Sequence, residues 1–408
     1  MRLNDNMKKN IWTYLHGDKG IWVIVFILSI FGLLAIYSST GSLAFRMGQA
    51  TEHYVLRHFL ILCSGLGIIY VAHKIPYVYY SRISQLLLIV AIPALIWALA
   101  SPHEINQAAR WIMLPVINIT FQPSDLAKLA LVMYTARILA KDKDRIKERG
   151  PFLHIMIPTL LVCGLVFPAN FSTSALIFLA GIVMMFIGQI NLRYITSTLA
   201  VCLTGLVLMF VLMQVIPQER LNEMGRMGTW AARIDRFSNP DGSRENHQME
   251  QAKIAIASGG LFGKMPGNST QRNNLPHAYS DFIYAIIIEE YGFVGGVGIL
   301  MLYLMLMFRA ISISRKCEGT FGSYLVFGIA FVLVSQAFVN MAVAVGLFPV
   351  TGQVLPFLSM GGTSLWLTSL GIGIILSVSA DVQLKGENID IVKPQSAEEI
   401  AQEMGIEN

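Results

Sequence analysis

Long apolar runs separated by short polar breaks govern this sequence from one end to the other. The runs fall at 21–37, 56–72, 83–100, 122–139, 152–167, 173–187, 195–216, 282–308, 324–347 and 364–380. Such lengths suit α-helices that cross a bilayer. The alternating ten-residue strands of a membrane barrel are absent. The pattern predicts an all-α polytopic membrane protein of about ten transmembrane helices. The first run is long and no small-residue cleavage site follows it, so it reads as a first membrane helix rather than a signal peptide.

The polar breaks set the orientation. Arg2, Lys8, Lys9 and Lys19 lie in segment 1–20, and Lys or Arg recurs at Lys74, Arg82, 141–150, Arg193, Arg309, Arg315 and Lys316. By the positive-inside rule these segments face the cytoplasm. Three parts follow: a cytoplasmic segment 1–20, a ten-helix region 21–380 and a polar cytoplasmic tail 381–408. Both termini lie inside, and the break after run 1 holds Ser38, Ser39 and Thr40. One large extracytoplasmic loop, 217–280, interrupts the region. Its charges nearly balance, its 244–257 stretch reads as a helix, and long loops in compact proteins are usually functional. The connection 348–363 is expected as a short outer loop.

Composition sharpens the class. Hydrophobic residues make up 54% and charged residues only 13%, about half the charged share of a soluble domain. Cys63, Cys163, Cys202 and Cys317 lack metal-ligand spacing and form no disulfide pattern. The net charge of +5 carries no basic stripe, so nucleic acid is not a partner.

Candidate chemistry gathers on the outer side. In 275–292 a polar loop runs back into an apolar helix; Ser280 reads as its N-cap, with Asp281 in the first turn. Glu289 and Glu290 lie within the apolar run, where charge is costly and usually marks function. One of them is expected to support a site near Asp281 and the other to pair with a neighbouring helix. Asp281 itself has two readings, electrostatic support of a helix N-terminus and a working carboxylate. Lys128, one turn into run 4, either pairs with Asp125 at i−3 or meets an anion. Trp111 and Arg110 fit an interfacial anchor and a snorkelling cation, or the wall of a cavity. Gln248 and Gln251 share one face of the loop helix, and Arg233 and Arg236 precede it. Together these residues describe an outward-facing cavity with one carboxylate, several cations and an aromatic wall. A carboxylate there can accept a proton from a hydroxyl, and cations can hold a leaving pyrophosphate.

At these residues the chain resembles the shape, elongation, division and sporulation family of bacterial membrane proteins, FtsW, RodA and their relatives. Segment 106–112 is similar to Asn-Gly-Ala-Arg-Arg-Trp-Ile, and 122–128 to Gln-Pro-Ser-Glu-Leu-Ala-Lys with Asp125 for Glu. Segment 233–240 resembles an Arg-Ile…Phe…Pro element, and Gln248 and Gln251 precede Ala-Ile-x-Ser-Gly-Gly at 255–260. Segment 275–292 resembles Leu-Pro-Glu-Ala-His-Thr-Asp-Phe-Ile-Phe-Ala…Glu-Glu-x-Gly, and 349–364 resembles Pro-Val-Thr-Gly…Leu-Pro-Phe-Ile-Ser-Tyr-Gly-Gly-Ser-Ser. Gln107, Ala109, His277, Tyr279 and Met360 depart from the pattern, so roles of those positions do not carry over.

The resemblance implies a peptidoglycan glycosyltransferase that polymerises lipid II and works with a class B penicillin-binding transpeptidase, among other divisome or elongasome membrane proteins. It implies the bacterial inner membrane, with the active site facing outward. Asp281 matches the family's essential aspartate. Arg110, Trp111, Lys128, Arg233, Gln248, Gln251 and Glu289 are the substrate-binding candidates beside it. A divalent cation, Mg2+ or Mn2+, could share the pyrophosphate's charge, although no ligand cluster in the sequence points to one. Two other classes stay open: a lipid II flippase and a non-catalytic scaffold for a transpeptidase. Transport would favour midplane charges and internal repeats, whereas the polar groups here sit at the outer boundary. The 349–352 motif resembles elongation members; 281–285 and the Gly-Gly-Thr-Ser ending resemble division members, towards which the balance leans.

Overall fold

The computed structural model describes residues 15–41, 51–100, 111–114, 119–216, 244–275 and 278–391. Among them are eleven α-helices: α1 Lys19–Ser39, α2 Thr51–Lys74, α3 Val78–Ala100, α4 Pro123–Lys141, α5 Arg149–Val166, α6 Phe171–Ile187, α7 Leu192–Val215, α8 Arg244–Gly259, α9 Ile283–Lys316, α10 Thr320–Ala344 and α11 Thr363–Ile391. Eight are long and apolar enough to cross a membrane. The other two members of the ten-helix set are α4, which carries more charge, and α6, at 17 residues slightly short. A two-stranded antiparallel hairpin, β1 Ile112–Leu114 with β2 Ile119–Phe121, is the one strand pairing among the described residues.

Local chemistry sets the helix ends. Asp18 caps α1 by accepting from the Ile21 amide at 3.0 Å, and Pro123 opens α4 after Gln122, where a missing N–H costs nothing. Small residues let helices approach. A side chain on Gly65 would strike Leu365 and Ser369 of α11, and one on Gly373 would strike Ala72 of α2. Close approach through small residues is the main packing device between membrane helices. The two helices run parallel, tied by Trp366 Nε1 donating to Ser64 Oγ at 2.7 Å. In α10 and α11, 67% of the spanning window is buried, against 6% in α7, which stands at the edge.

Three expectations need correction. The helix ending near 380 continues to Ile391. The 348–363 connection is no surface loop: a Cβ on Gly32, two turns inside α1, would lie 2.2 Å from the Phe357 carbonyl. Tyr303, ten residues past the Phe293 turn of α9, donates its hydroxyl to the Pro356 carbonyl. The segment is therefore re-entrant. Irregular backbone at membrane depth survives only when protein groups satisfy it. Gln336 Nε2 donates to the Val354 carbonyl at 2.9 Å, and Asn340 Nδ2 to the Gln353 carbonyl at 2.6 Å. Ser359 Oγ accepts from the Leu355 amide at 2.8 Å.

The third correction concerns 282–308, expected as one straight crossing. Gly292 has φ 71° and ψ −174°, outside helical space. Tyr284 nevertheless donates to the Gly296 carbonyl at 3.1 Å, whereas twelve residues of straight helix would separate them by about 18 Å. A Cβ on Gly296 would meet Ile288 at 2.7 Å. Segment 283–291 thus folds back along segment 293–316, and only the latter crosses.

Candidate functional site

The site residues collect at the end of the bundle where α4, α9 and α11 begin. Asp281 lies in the turn 278–282 ahead of α9, whose N-cap is Phe282 with no side-chain cap. Ser280 is therefore not the N-cap: its carbonyl instead accepts from Ser359 Oγ at 2.7 Å. Met360 donates its amide to the Tyr279 carbonyl at 3.0 Å, and Asn340 Nδ2 reaches the Asp281 carbonyl at 3.1 Å. Three consecutive carbonyls of the Asp281 turn are thus held by α10 and the re-entrant loop. Phe282, fully buried, plugs the turn into the core. The Asp281 side chain is half-buried.

Lys128 makes the local pair with Asp125. Its ammonium lies 3.0 Å from Asp125 Oδ1, the i,i+3 pair, and also donates to Gln336 Oε1 on α10. Both charged groups are buried. They line a narrow, mostly apolar cleft between α4, α10 and α11, with Ser364 and Thr368 opposite. An ammonium has three donors, and two are accounted for. Gln336 and Asn340 are one helical turn apart, and their partners Val354 and Gln353 are adjacent. A continuous hydrogen-bonded route therefore joins Lys128 to the backbone of Asp281. On its far side Gln353 Nε2 donates to Thr173 Oγ1 of α6.

Glu289 requires correction. It was expected to contact substrate, but it is fully buried and its oxygens are taken. Lys264 Nζ approaches Oε1 at 2.7 Å; Thr270 donates its amide at 3.1 Å and its hydroxyl at 2.9 Å; Ser269 Oγ and the Gln271 amide reach Oε2. Glu289 ties loop 264–271 to the folded-back segment. Glu290 accepts from Ser38 Oγ of α1, as the neighbouring-helix expectation has it. Arg272 extends that contact, donating to the Ser38 carbonyl at 3.3 Å and the Gly267 carbonyl at 2.8 Å.

The break at Gly292 is filled by the same loop. In an unbroken helix the amides of Phe293 and Val294 would bond the carbonyls of Glu289 and Glu290. Here those carbonyls accept from Lys264 and Met265, at 2.9 Å each. Phe293 and Val294 donate instead to Gly260, at 2.9 Å, and Leu261, at 3.2 Å. Loop and helix exchange partners, and glycines permit it. A Cβ on Gly263 would lie 2.1 Å from the Glu290 carbonyl, one on Gly259 would lie 2.2 Å from that of Ile288, and one on Gly292 would lie 2.3 Å from that of Leu261.

Of the remaining candidates, Trp111 is half-buried beside β1, and the hairpin is tethered by Thr363 Oγ1 donating to the Thr120 carbonyl at 3.0 Å. Gln248 and Gln251 are half-buried on α8, which packs on α9. Arg110, Arg233, Arg236 and His277 lie outside the described residues, as does 217–243 of the large loop. Sequence reasoning missed Gln336, Asn340, Gln353, Lys264, Ser269 and Thr270. The first two left a signal, amides four apart on one face of an apolar run. No group of three or more His, Cys, Asp or Glu able to hold a metal occurs among the described residues. They assemble no protein cage for a divalent cation, and no step below passes through one.

The profile of the family described as Cell cycle protein (FtsW, RodA, SpoVE) matches residues 18–384. A protein of Trichlorobacter lovleyi named "Probable peptidoglycan glycosyltransferase FtsW" is 34% identical over 376 residues, covering 90% of this chain and 94% of its own. A protein of the same name from Geobacter sp. is 32% identical over 373 residues, covering 89% and 96%. The Rod shape determining protein RodA of Thermus thermophilus superposes with TM-score 0.65 at 24% identity, over 90% of this chain and 98% of that one. A chain from a structure described as "Structural coordination of polymerization and crosslinking by a peptidoglycan synthase complex" superposes with TM-score 0.72 at 24% identity, over the same shares. These two likenesses concern the fold.

Proposed function

The chain belongs to the FtsW, RodA and SpoVE family of cell cycle proteins, and from that premise we propose that it is a peptidoglycan glycosyltransferase that polymerises lipid II for the septal wall. It is a multi-pass protein of the bacterial inner membrane. The observation that carries the reading is the placement of Asp281. Its turn is fixed through three carbonyls, and its backbone is joined through Asn340 and Gln336 to the one buried ammonium beside the cleft, Lys128. Fixed geometry is what general-base catalysis needs.

In the proposed reaction Asp281 accepts the proton of the acceptor's GlcNAc 4-hydroxyl. That oxygen attacks the anomeric carbon of the donor MurNAc, and undecaprenyl pyrophosphate departs with the bonding electron pair. Lys128 faces the growing negative charge with its remaining donor; Arg110 and Arg233 join it, and Trp111 lines the sugar path. The Asp281 end of the bundle faces outward, where the lipid-linked substrate lies. Purified Asp281→Asn protein given labelled lipid II, with no other polymerase, should lose about 10²–10⁴-fold in rate while keeping its melting temperature. A rate near the parent's would reduce Asp281 to a turn residue; translocation without polymer would instead identify a flippase.

The partner in this reading is a single-pass transpeptidase. The structural neighbour drawn from a complex that couples polymerization to crosslinking supports it. Its membrane helix packs on the lipid-facing surface of α9 and α10, and its outer base rests on the 217–280 loop; Gly296 and Gly328, expected at this contact, are instead buried against Ile288 and against Met184 and Val132. Cysteine crosslinks found only against α1–α3 would contradict this placement.

A further inference from the structure

Among the described residues none covers three large apolar side chains of loop 260–265: Leu261 is 65% exposed, Phe262 79% and Met265 66%. The one charged residue among them turns away, Lys264 reaching inward to Glu289 and Thr270. Much of the loop's backbone is also paired from within. Gly263, Lys264 and Met265 donate to Gly259, Glu289 and Glu290, while Gly260 and Leu261 accept from Phe293 and Val294. A loop in water does not need such pairing; a loop in hydrocarbon does.

Position agrees with chemistry. Glu290, one bond from this loop, meets Ser38 at the end of α1. The 21 residues of α1 span roughly 30 Å, the thickness of a bilayer's hydrocarbon. The loop is therefore level with the membrane boundary. Its partners Phe293 and Val294 are themselves exposed, at the start of the segment that crosses. The uncovered patch is continuous with the lipid-facing surface of α9.

We propose that 260–265 is a finger inserted into the bilayer leaflet at the Asp281 end, with Leu261, Phe262 and Met265 in the headgroup–acyl boundary. Through the exchanged hydrogen bonds and Glu289, the finger sets the depth of segment 283–291, and with it the turn that carries Asp281. The occupant of the patch is lipid rather than a protein helix, because the largely paired backbone and inward-turned lysine suit a bilayer with no partner present.

The test reads accessibility, so its outcome is independent of whether glycan is made. Cys63, Cys163, Cys202 and Cys317 are replaced by Ala, and Phe262→Cys is spin-labelled in the full chain, in phosphatidylglycerol-containing vesicles without a transpeptidase. Power saturation is measured with oxygen and with a water-soluble nickel chelate. The expected oxygen-to-nickel collision ratio is several-fold above that of a label at Lys143 in the aqueous break and below that at lipid-facing Val207, deep in the span of α7. A ratio matching Lys143 overturns the proposal. So does a label that loses nickel contact only when the cognate transpeptidase is added, since the patch would then belong to that partner. Leu261→Cys, labelled in the same way, supplies the reading if Phe262→Cys does not assemble.

Discussion

Two lysine–carboxylate pairs in this protein, one buried on both sides and one whose lysine is 30% exposed, do different work. Lys128 and Asp125 lie three apart on α4, beside a cleft, and share a third group, Gln336. Lys264 and Glu289 are 25 residues apart, in a loop and a folded-back helix, with Ser269, Thr270 and Gln271 completing the carboxylate's shell. The first pair keeps a charged donor next to open space. The second consumes its charge entirely to join two backbone segments. A buried charge beside a cavity is available for chemistry; one surrounded by donors is structural, whatever the motif around it implies.

The comparison is broken most severely at Glu289. Replacing it with Leu removes the acceptor of Lys264 and of five other donors, the hydroxyls of Ser258, Ser269 and Thr270 and the amides of Thr270 and Gln271, and removing one partner of a buried pair costs about 3–5 kcal/mol. Thermal unfolding in detergent should show a large loss. The double variant Glu289→Leu, Lys264→Met should recover part of it, because two apolar groups can replace a buried pair. No recovery would mean that the carboxylate's bonds to the loop backbone outweigh the ion pair.

A smaller loss is expected from the amides. Asn340→Leu leaves the carbonyls of Gln353 and Asp281 without their donor, and a stranded buried polar group costs about 1–3 kcal/mol. Turnover should fall further than stability, since the Asp281 turn loses one of its three holds. Equal effects on melting temperature and turnover would show that Asn340 serves the re-entrant loop alone.

The smallest stability change, with a large functional one, is expected at Lys128→Gln. The glutamine amide keeps a donor for the buried Asp125 carboxylate, so the change should cost about 1 kcal/mol, the lower end for a buried polar group. Use of the pyrophosphate-bearing lipid should weaken well beyond that. A variant that melts earlier but turns over at the parent's rate would place Lys128 in the same structural class as Lys264.

Much of the fold was legible in the sequence. Every apolar run became a helix, because runs of that length have no other way to satisfy their backbone in lipid. Pro123 marked the start of α4, and the Asp125–Lys128 pair is one of the two readings that the spacing left open. The gathering of Asp281, Lys128 and Trp111 at one end followed from alternating helix direction alone. The 244–257 helix of the large loop was legible, but not that it packs on α9.

Hydropathy reports whether a segment prefers lipid, not whether it runs straight through it. Segments 282–308 and 348–363 therefore concealed their shapes. Gly292 reads like any helix glycine until Gly260 and Leu261 supply the bonds that its φ of 71° removes. Segment 348–363 reads as a short outer loop until Gln336, Asn340 and Tyr303 hold it at depth. The sequence by itself determined the helices, their order and the chemistry available at one end, since these depend on local hydrophobicity and on spacing along one chain. Only the tertiary structure decided that Glu289 is a fastener and that Asp281 is held from three sides. Those outcomes depend on which donors from distant segments reach a carboxylate or a carbonyl first, and no local pattern encodes that competition.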